Sequence, residues 1–158
     1  MIKLYKKIDG KWHYWETWES DEEAAIMHWG MVGDKGQVKE VKSNRKTNYE
    51  KVVQREYSVR IENGYAELED DDLVGLEIRY KIEGLGTPAD LDKRHDLEDA
   101  LNEILGWNGL GHVEGGSIGS DSMEVGCMVV DFELAKSTIE KDLKHTKFAD
   151  YSVIVKMK

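Results

Sequence analysis

The chain has a single cysteine, Cys127, so neither an intrachain disulfide nor a Cys-rich zinc site can form. It has a single proline, Pro88, and no long Gly/Ser tract, which excludes an extended linker-like chain. Phenylalanine is scarce, but five Trp and seven Tyr supply the aromatic surface that a disordered chain lacks. No run approaches the roughly 20 apolar residues needed to span a bilayer, so no membrane association is expected. Met1 to Lys7 contain no apolar h-region, so no secretory signal is expected and the expected compartment is a reducing cytoplasm. What is present is 158 residues, 40% hydrophobic and 34% charged, a composition that fits one ordinary domain or two small ones.

Charge divides the chain in two. The formal net charge is −10. Residues 1–68 carry twelve basic and twelve acidic side chains, whereas residues 69–158 carry ten basic and twenty acidic ones. The shift falls at Glu69-Asp70-Asp71-Asp72, where four adjacent carboxylates repel one another and resist burial. This predicts a first domain over 1–68, an acidic linker over 69–75 and a second domain over 76–158. The expected class is α+β: a small antiparallel sheet with one helix, then a ferredoxin-like β-α-β-β-α-β sandwich.

In the first half, Ile2 and Leu4 alternate ahead of an Asp9-Gly10 turn. Trp12-His13-Tyr14-Trp15-Glu16-Thr17-Trp18 then has the aromatic density of a strand, so a hairpin is expected. Ala24 to Met31 is a second apolar run, Val32 to Gly36 a turn, and Gln37 to Val41 an alternating strand. Tyr49, Val52, Val53 and Tyr57 mark one helical face, with Asn63-Gly64 as its stop. Tyr65 to Leu68 is expected to return as a closing strand.

Trp29-Gly30-Met31, the Gly33-Asp34-Lys35-Gly36-Gln37 turn, a basic strand, a helix and Gly64-Tyr65 come in an order that resembles the WGR domain. That family is named for a Trp-Gly-Arg triplet followed by a G-x-x-G-Q-like turn, and the match covers roughly residues 2–68. WGR domains occur in poly(ADP-ribose) polymerases, where they help recognise broken DNA, and in bacterial proteins. The resemblance implies a binding module for nucleic acid rather than a catalytic one. The third triplet residue here is Met31, which has neither the charge nor the planar donor fork of Arg.

Local charge agrees with that implication. Residues 30–60 contain eight basic and four acidic side chains. Trp29, Lys35, Lys39, Lys42, Arg45 and Lys46 are the candidate nucleic-acid contacts, the cations for phosphates and Trp29 as a stacking platform or a core aromatic. Lysines on an exposed strand also serve to block edge-to-edge pairing, so the same residues fit a plain solvated edge.

In the second half, Leu76, Ile78, Tyr80 and Ile82 alternate with charged residues as a half-buried strand. Thr87 is a candidate N-cap, with Pro88 at the first helical position and Asp90 near the positive helix end. Leu97, Leu101, Ile104 and Leu105 form one stripe of this helix. Asp92, Asp96, Asp99 and Glu103 form an acidic ridge on nearly the opposite side. Leu110 to Ser117, a central strand over Met123 to Val130, a helix capped by Asp131 with Leu134, Ala135, Ile139 and Leu143, and a strand over Ser152–Lys158 complete the pattern.

Catalytic chemistry is not indicated. The five histidines form no H-x-x-x-H spacing, and His95 with Asp99 supplies at most two ligands. Gly84-Leu85-Gly86 lacks the third Gly of a dinucleotide fingerprint, and Gly115-Gly116-x-x-Gly119 lacks the Lys-Ser/Thr of a P-loop. Mid-strand Cys127 reads as a small core residue. The expectation is a non-catalytic binding protein with no cofactor and no metal, associated with nucleic acid through its first domain. The alternative is an acidic interaction protein, such as an immunity-type inhibitor of a basic toxin nuclease, which would use the Asp92, Asp96, Asp99, Glu103 ridge to steer its partner.

Overall fold

The computed structural model describes residues 1–157. Two compact units divide between Glu69 and Asp70. The fold is α+β, with two four-stranded antiparallel sheets and three helices.

The first unit is a meander of β1 (Ile2–Ile8), β2 (Lys11–Asp21), β3 (Ala24–Met31) and β4 (Gln37–Lys42), followed by α1 (Tyr49–Glu62). The β1–β2 turn needs positive φ at both Asp9 (52°) and Gly10 (79°), the conformation that two-residue hairpins favour. Register places Leu4, Trp15, Trp29 and Gln37 in one cross-strand row. On that face Leu4, Trp15, Ala25, Met27 and Val41 pack with Tyr49 and Tyr65, and with the Val52, Val53 and Tyr57 stripe of α1. Asn48 caps α1 by accepting from the Glu50 N–H at 2.7 Å, and the helix stops at Asn63 before Gly64, whose φ is +91°. The expected closing strand does not form. Ala66 makes only a single bridge to Tyr5, with its N–H and C=O bonded at 2.9 and 2.8 Å. Tyr65 is drawn into the core, while Ala66 and Glu67 stay exposed with no second bridge.

In the second unit regular structure begins earlier than the sequence suggests. Asp70–Asp72 form one 3-10 turn, and β5 (Val74–Lys81) starts inside the stretch read as linker. The cause is pairing: Gly75 lies between Met128 and Met157 in the sheet. The elements continue as α2 (Pro88–Trp107), β6 (Gly111–Gly119), β7 (Ser122–Val129), α3 (Phe132–Leu143) and β8 (Val153–Met157). The strand order β6-β7-β5-β8, all antiparallel, gives the ferredoxin-like β-α-β-β-α-β arrangement. Lys158, read as the end of the last strand, lies outside the described residues.

Both helices lie on one face of this sheet. Leu76, Ile78, Tyr80, Met123, Val125, Cys127 and Val129 point toward it, as do Leu97, Leu101 and Leu105 of α2 and Ala135, Ile139 and Leu143 of α3. Thr87 and Asp90 form a reciprocal capping box that starts α2. Leu134 does not join the buried face of α3. Its N–H bonds Asp131 at the cap, and the buried set Ala135, Ile139, Leu143 repeats every four residues, leaving Leu134 outside that stripe and 42% exposed.

Candidate nucleic-acid interface

The β3–β4 connection is built on a close approach of backbone to backbone. The Asp34 N–H bonds the Met31 carbonyl at 2.9 Å, closing a turn whose third residue, Gly33, has φ of +100°. The chain then folds back onto β3. A Cβ on Gly36 would lie 2.1 Å from the Trp29 carbonyl oxygen, and one on Gly30 would lie 2.8 Å from the Gly36 Cα. Gly36 also has φ of +65°. The two glycines of this motif are therefore steric requirements of the turn.

A buried polar network holds the same turn from below. His28 is fully buried, and its Nδ1 lies 2.9 Å from the Glu16 carboxylate. Its Nε2 faces the Lys35 carbonyl, which only accepts, so that nitrogen carries a proton. The Tyr14 hydroxyl lies 3.1 Å from the same Nε2 and donates to the Asp34 carbonyl at 2.8 Å. Glu16 is itself 96% buried, and its second oxygen has no hydrogen-bond partner but lies 3.4 Å from the Lys3 ammonium. Burial, with the Glu16 charge next in size, pushes the hydroxyls of both Tyr14 and Tyr5 above their ordinary range. Two carbonyls of the turn are thus tied to β2 and β3.

The candidate cations are distributed along β4. Lys35 is exposed in the turn that enters the strand, and Lys39 is exposed on the strand itself. Arg45 and Lys46 are exposed in the loop that leaves it. That loop is also fixed: the Asn44 side chain accepts from the N–H groups of Lys46 and Thr47, each at 2.8 Å. Among the described residues, Lys35, Lys39, Arg45 and Lys46 have no carboxylate within ion-pair distance.

Strand parity separates the remaining candidates. Lys39 pairs with Met27 and Gln37 with Trp29, so these residues share the α1 face, whereas Lys42 lies on the opposite face, 3.7 Å from Glu40. Lys42 is therefore split from Lys39 and carries an ion pair. Trp29 is half-buried and packs against the aromatic core beneath α1, which fits a core aromatic with one accessible edge. Sequence reasoning did not single out Lys51 and Arg55. Their i, i+4 spacing on the polar side of α1 was the available signal, and both are exposed there.

The acidic ridge is exposed but partly engaged. Asp96 accepts from Lys147 at 2.7 Å, and Glu103 accepts from the Trp107 indole at 2.9 Å, one turn along α2. Asp92 and Asp99 remain without ion pairs among the described residues. Among those residues, no group of three or more His, Cys, Asp or Glu side chains is placed to hold a metal ion. No helix of the described residues is long and apolar enough to cross a membrane. Compared with family models, curated proteins and solved structures, the chain matches none.

Proposed function

We propose that this chain is a non-catalytic binding protein whose first unit grips a nucleic-acid backbone along β4. The observation that carries the reading is the row Lys35, Lys39, Arg45 and Lys46: exposed, without carboxylate partners, and borne on a strand fixed by side-chain hydrogen bonds at both ends. A six-residue strand extends for about 20 Å, the axial length of roughly six phosphates of one DNA strand. The backbone that carries these cations is fixed before binding, so only their side chains need ordering, which favours phosphate contact over a mobile basic tail. The resemblance to the WGR domain supports the same reading. With Met31 in the triplet, the phosphate contacts rest on the β4 cations and not on the family's Arg.

An acidic inhibitor acting through the α2 ridge has less support, because two of its four carboxylates are already bonded within the second unit.

The test is a fluorescence-anisotropy titration of the full chain with blunt duplex DNA, nicked duplex DNA and single-stranded RNA, each at two salt concentrations. Binding that weakens as salt rises is expected. Lys39→Glu with Arg45→Glu should weaken it at least about tenfold and lower the salt slope by about two. No binding to any ligand, or an affinity unchanged by the double substitution, would remove the β4 edge from the proposal.

A further inference from the structure

The helices of the second unit cover one face of its sheet and leave the other open. Register fixes what lies on the open face. One row runs His112, Met128, Gly75, Met157, and the next runs Gly115, Gly126, Glu77, Val155. Gly115 and Gly126, paired across the sheet, leave the centre without side chains, while Met157 packs over Gly75, where a Cβ would lie 2.9 Å from the Met157 Cβ. A Cβ on Gly115 would meet nothing within 4 Å, and one on Gly126 would make only ordinary contact, 3.7 Å from the Gly115 carbonyl oxygen. The result is a cleft of about 610 Å³ over β5 and β7.

The chemistry of the cleft has one sign. Among the described residues, Asp70, Asp71, Glu77 and Glu114 line it, and the lining cation Lys156 pairs with Leu76, in a row of the helix-covered face. Glu114 follows Val113 and reaches the open face by alternation, and the β6 bulge after it sets Gly115 opposite Gly126. Glu77 is already bonded to Arg79 at 2.6 Å. Asp70, Asp71 and Glu114 are exposed, with no cation at ion-pair distance among the described residues. Met128 and Met157, also in the lining, give an adaptable apolar floor.

We infer that this open sheet face docks an extended, lysine- or arginine-bearing segment of another protein. Charge complementarity selects the occupant. The apolar stems of such side chains lie along Met128 and Met157 while their charged heads reach Asp70, Asp71 and Glu114. The glycine strip lets a backbone approach the sheet, which bulkier side chains there would prevent. This surface is distinct from the α2 ridge, and the inference is independent of the nucleic-acid reading.

The test uses the full chain and a fluorescein-labelled seven-residue peptide of alternating Lys and Val, with the Glu-Val peptide as control. Saturable binding of the Lys peptide alone is expected, with amide shift changes at Gly75, Glu77, Gly115 and Gly126. Gly115→Leu places a side chain in the cleft at a position where its Cβ meets nothing within 4 Å, and Asp71→Lys with Glu114→Lys reverses the cleft's charge. Each should lower affinity at least about tenfold at low salt, whereas Asp92→Lys with Asp99→Lys should change it less than about threefold. No saturable binding would overturn the inference. So would shift changes centred on Asp92 to Glu103, equal binding of the Glu peptide, or full affinity in both sheet-face variants.

Discussion

His28 and Glu16 form a buried pair, Nδ1 to Oε1 at 2.9 Å, and through the other ring nitrogen the pair holds the Lys35 carbonyl in the β3–β4 turn. A carboxylate this deeply buried is tolerated because the imidazole and the Lys3 ammonium face it. Removing the ring takes away the carboxylate's closer partner and leaves only the Lys3 ammonium at 3.4 Å. His28→Ala should cost about 3–5 kcal/mol in urea unfolding, the usual penalty for leaving one member of a buried pair uncompensated. Glu16→Gln keeps an acceptor for Nδ1 and should cost less than His28→Ala. Hydrogen exchange at the turn amides should rise in both variants, and more in the first. Equal stability of His28→Ala and the wild type would show that the network does not hold the turn.

Glycine at position 36 serves both sterics and backbone geometry. Gly36→Ala places a methyl 2.1 Å from the Trp29 carbonyl oxygen at a φ of +65°. The turn must move, and a loss of at least about 2 kcal/mol is expected, since a close contact with backbone adds to the positive-φ penalty. Gly115→Ala is the matched control, because its Cβ meets open space and its φ is not positive. Thermal unfolding should separate the two clearly. Similar melting temperatures would contradict the close approach of the turn to β3.

The residues that were legible in the sequence share a property: their role is set by near neighbours along the chain. Tyr49, Val52, Val53 and Tyr57 mark α1 by period alone, and Thr87, Pro88 and Asp90 mark the start of α2 by local capping. The sheet order of the second unit followed from the alternation of its elements. What was not legible depends on pairing between strands. Lys39 and Lys42 are close in sequence, yet strand parity sends them to opposite faces. The cleft exists because Gly115 meets Gly126 across the sheet beside a bulge, and no local pattern encodes that meeting. Glu16 sits amid aromatics, where a charge suggests solvent. Its parity with Tyr14 and Trp18 was the available sign that it faces inward.

Alkaline pH should weaken the fold through its buried acids. Burial pushes the Cys127 thiol from 9.0 up to about 12, because a thiolate would be stranded in the apolar core. Burial raises the hydroxyls of Tyr5, Tyr14 and Tyr80 in the same direction. The folded chain then holds these protons to higher pH than the unfolded chain does. The stabilisation is complete below about pH 9 and is lost as pH climbs through the folded values. For Cys127 alone the loss approaches about 4 kcal/mol above pH 12 and about 2–3 kcal/mol by pH 11. Cys127→Ala should show a shallower decline in urea stability between pH 8.5 and 11, even though its neutral-pH stability is lower. A parallel decline would mean that the tyrosines, and not the thiol, set the alkaline limit.

The triplet position offers a gain-of-function test of the proposed interface. Met31 is half-buried and lies two residues from Trp29 on β3, so both side chains leave the same face of the sheet, the one that also bears Gln37 and Lys39. Met31 pairs with His13 just beyond the last rung of β4, beside the turn that carries Lys35. An Arg stem can cover the same apolar surface as Met while its guanidinium reaches solvent, so Met31→Arg should fold with little loss. It would add a cation beside Lys35, at the turn end of β4, and a planar fork suited to phosphate. Affinity for duplex DNA at low salt should rise about tenfold, with the salt slope steeper by about one. The gain should shrink when Lys39→Glu and Arg45→Glu are added, because two reversed charges along the same strand repel the backbone that the added Arg would hold. An added Arg that changes neither affinity nor slope would place the phosphate path away from the β3–β4 turn and leave the Arg45, Lys46, Lys51 and Arg55 side of the unit as the surface to test.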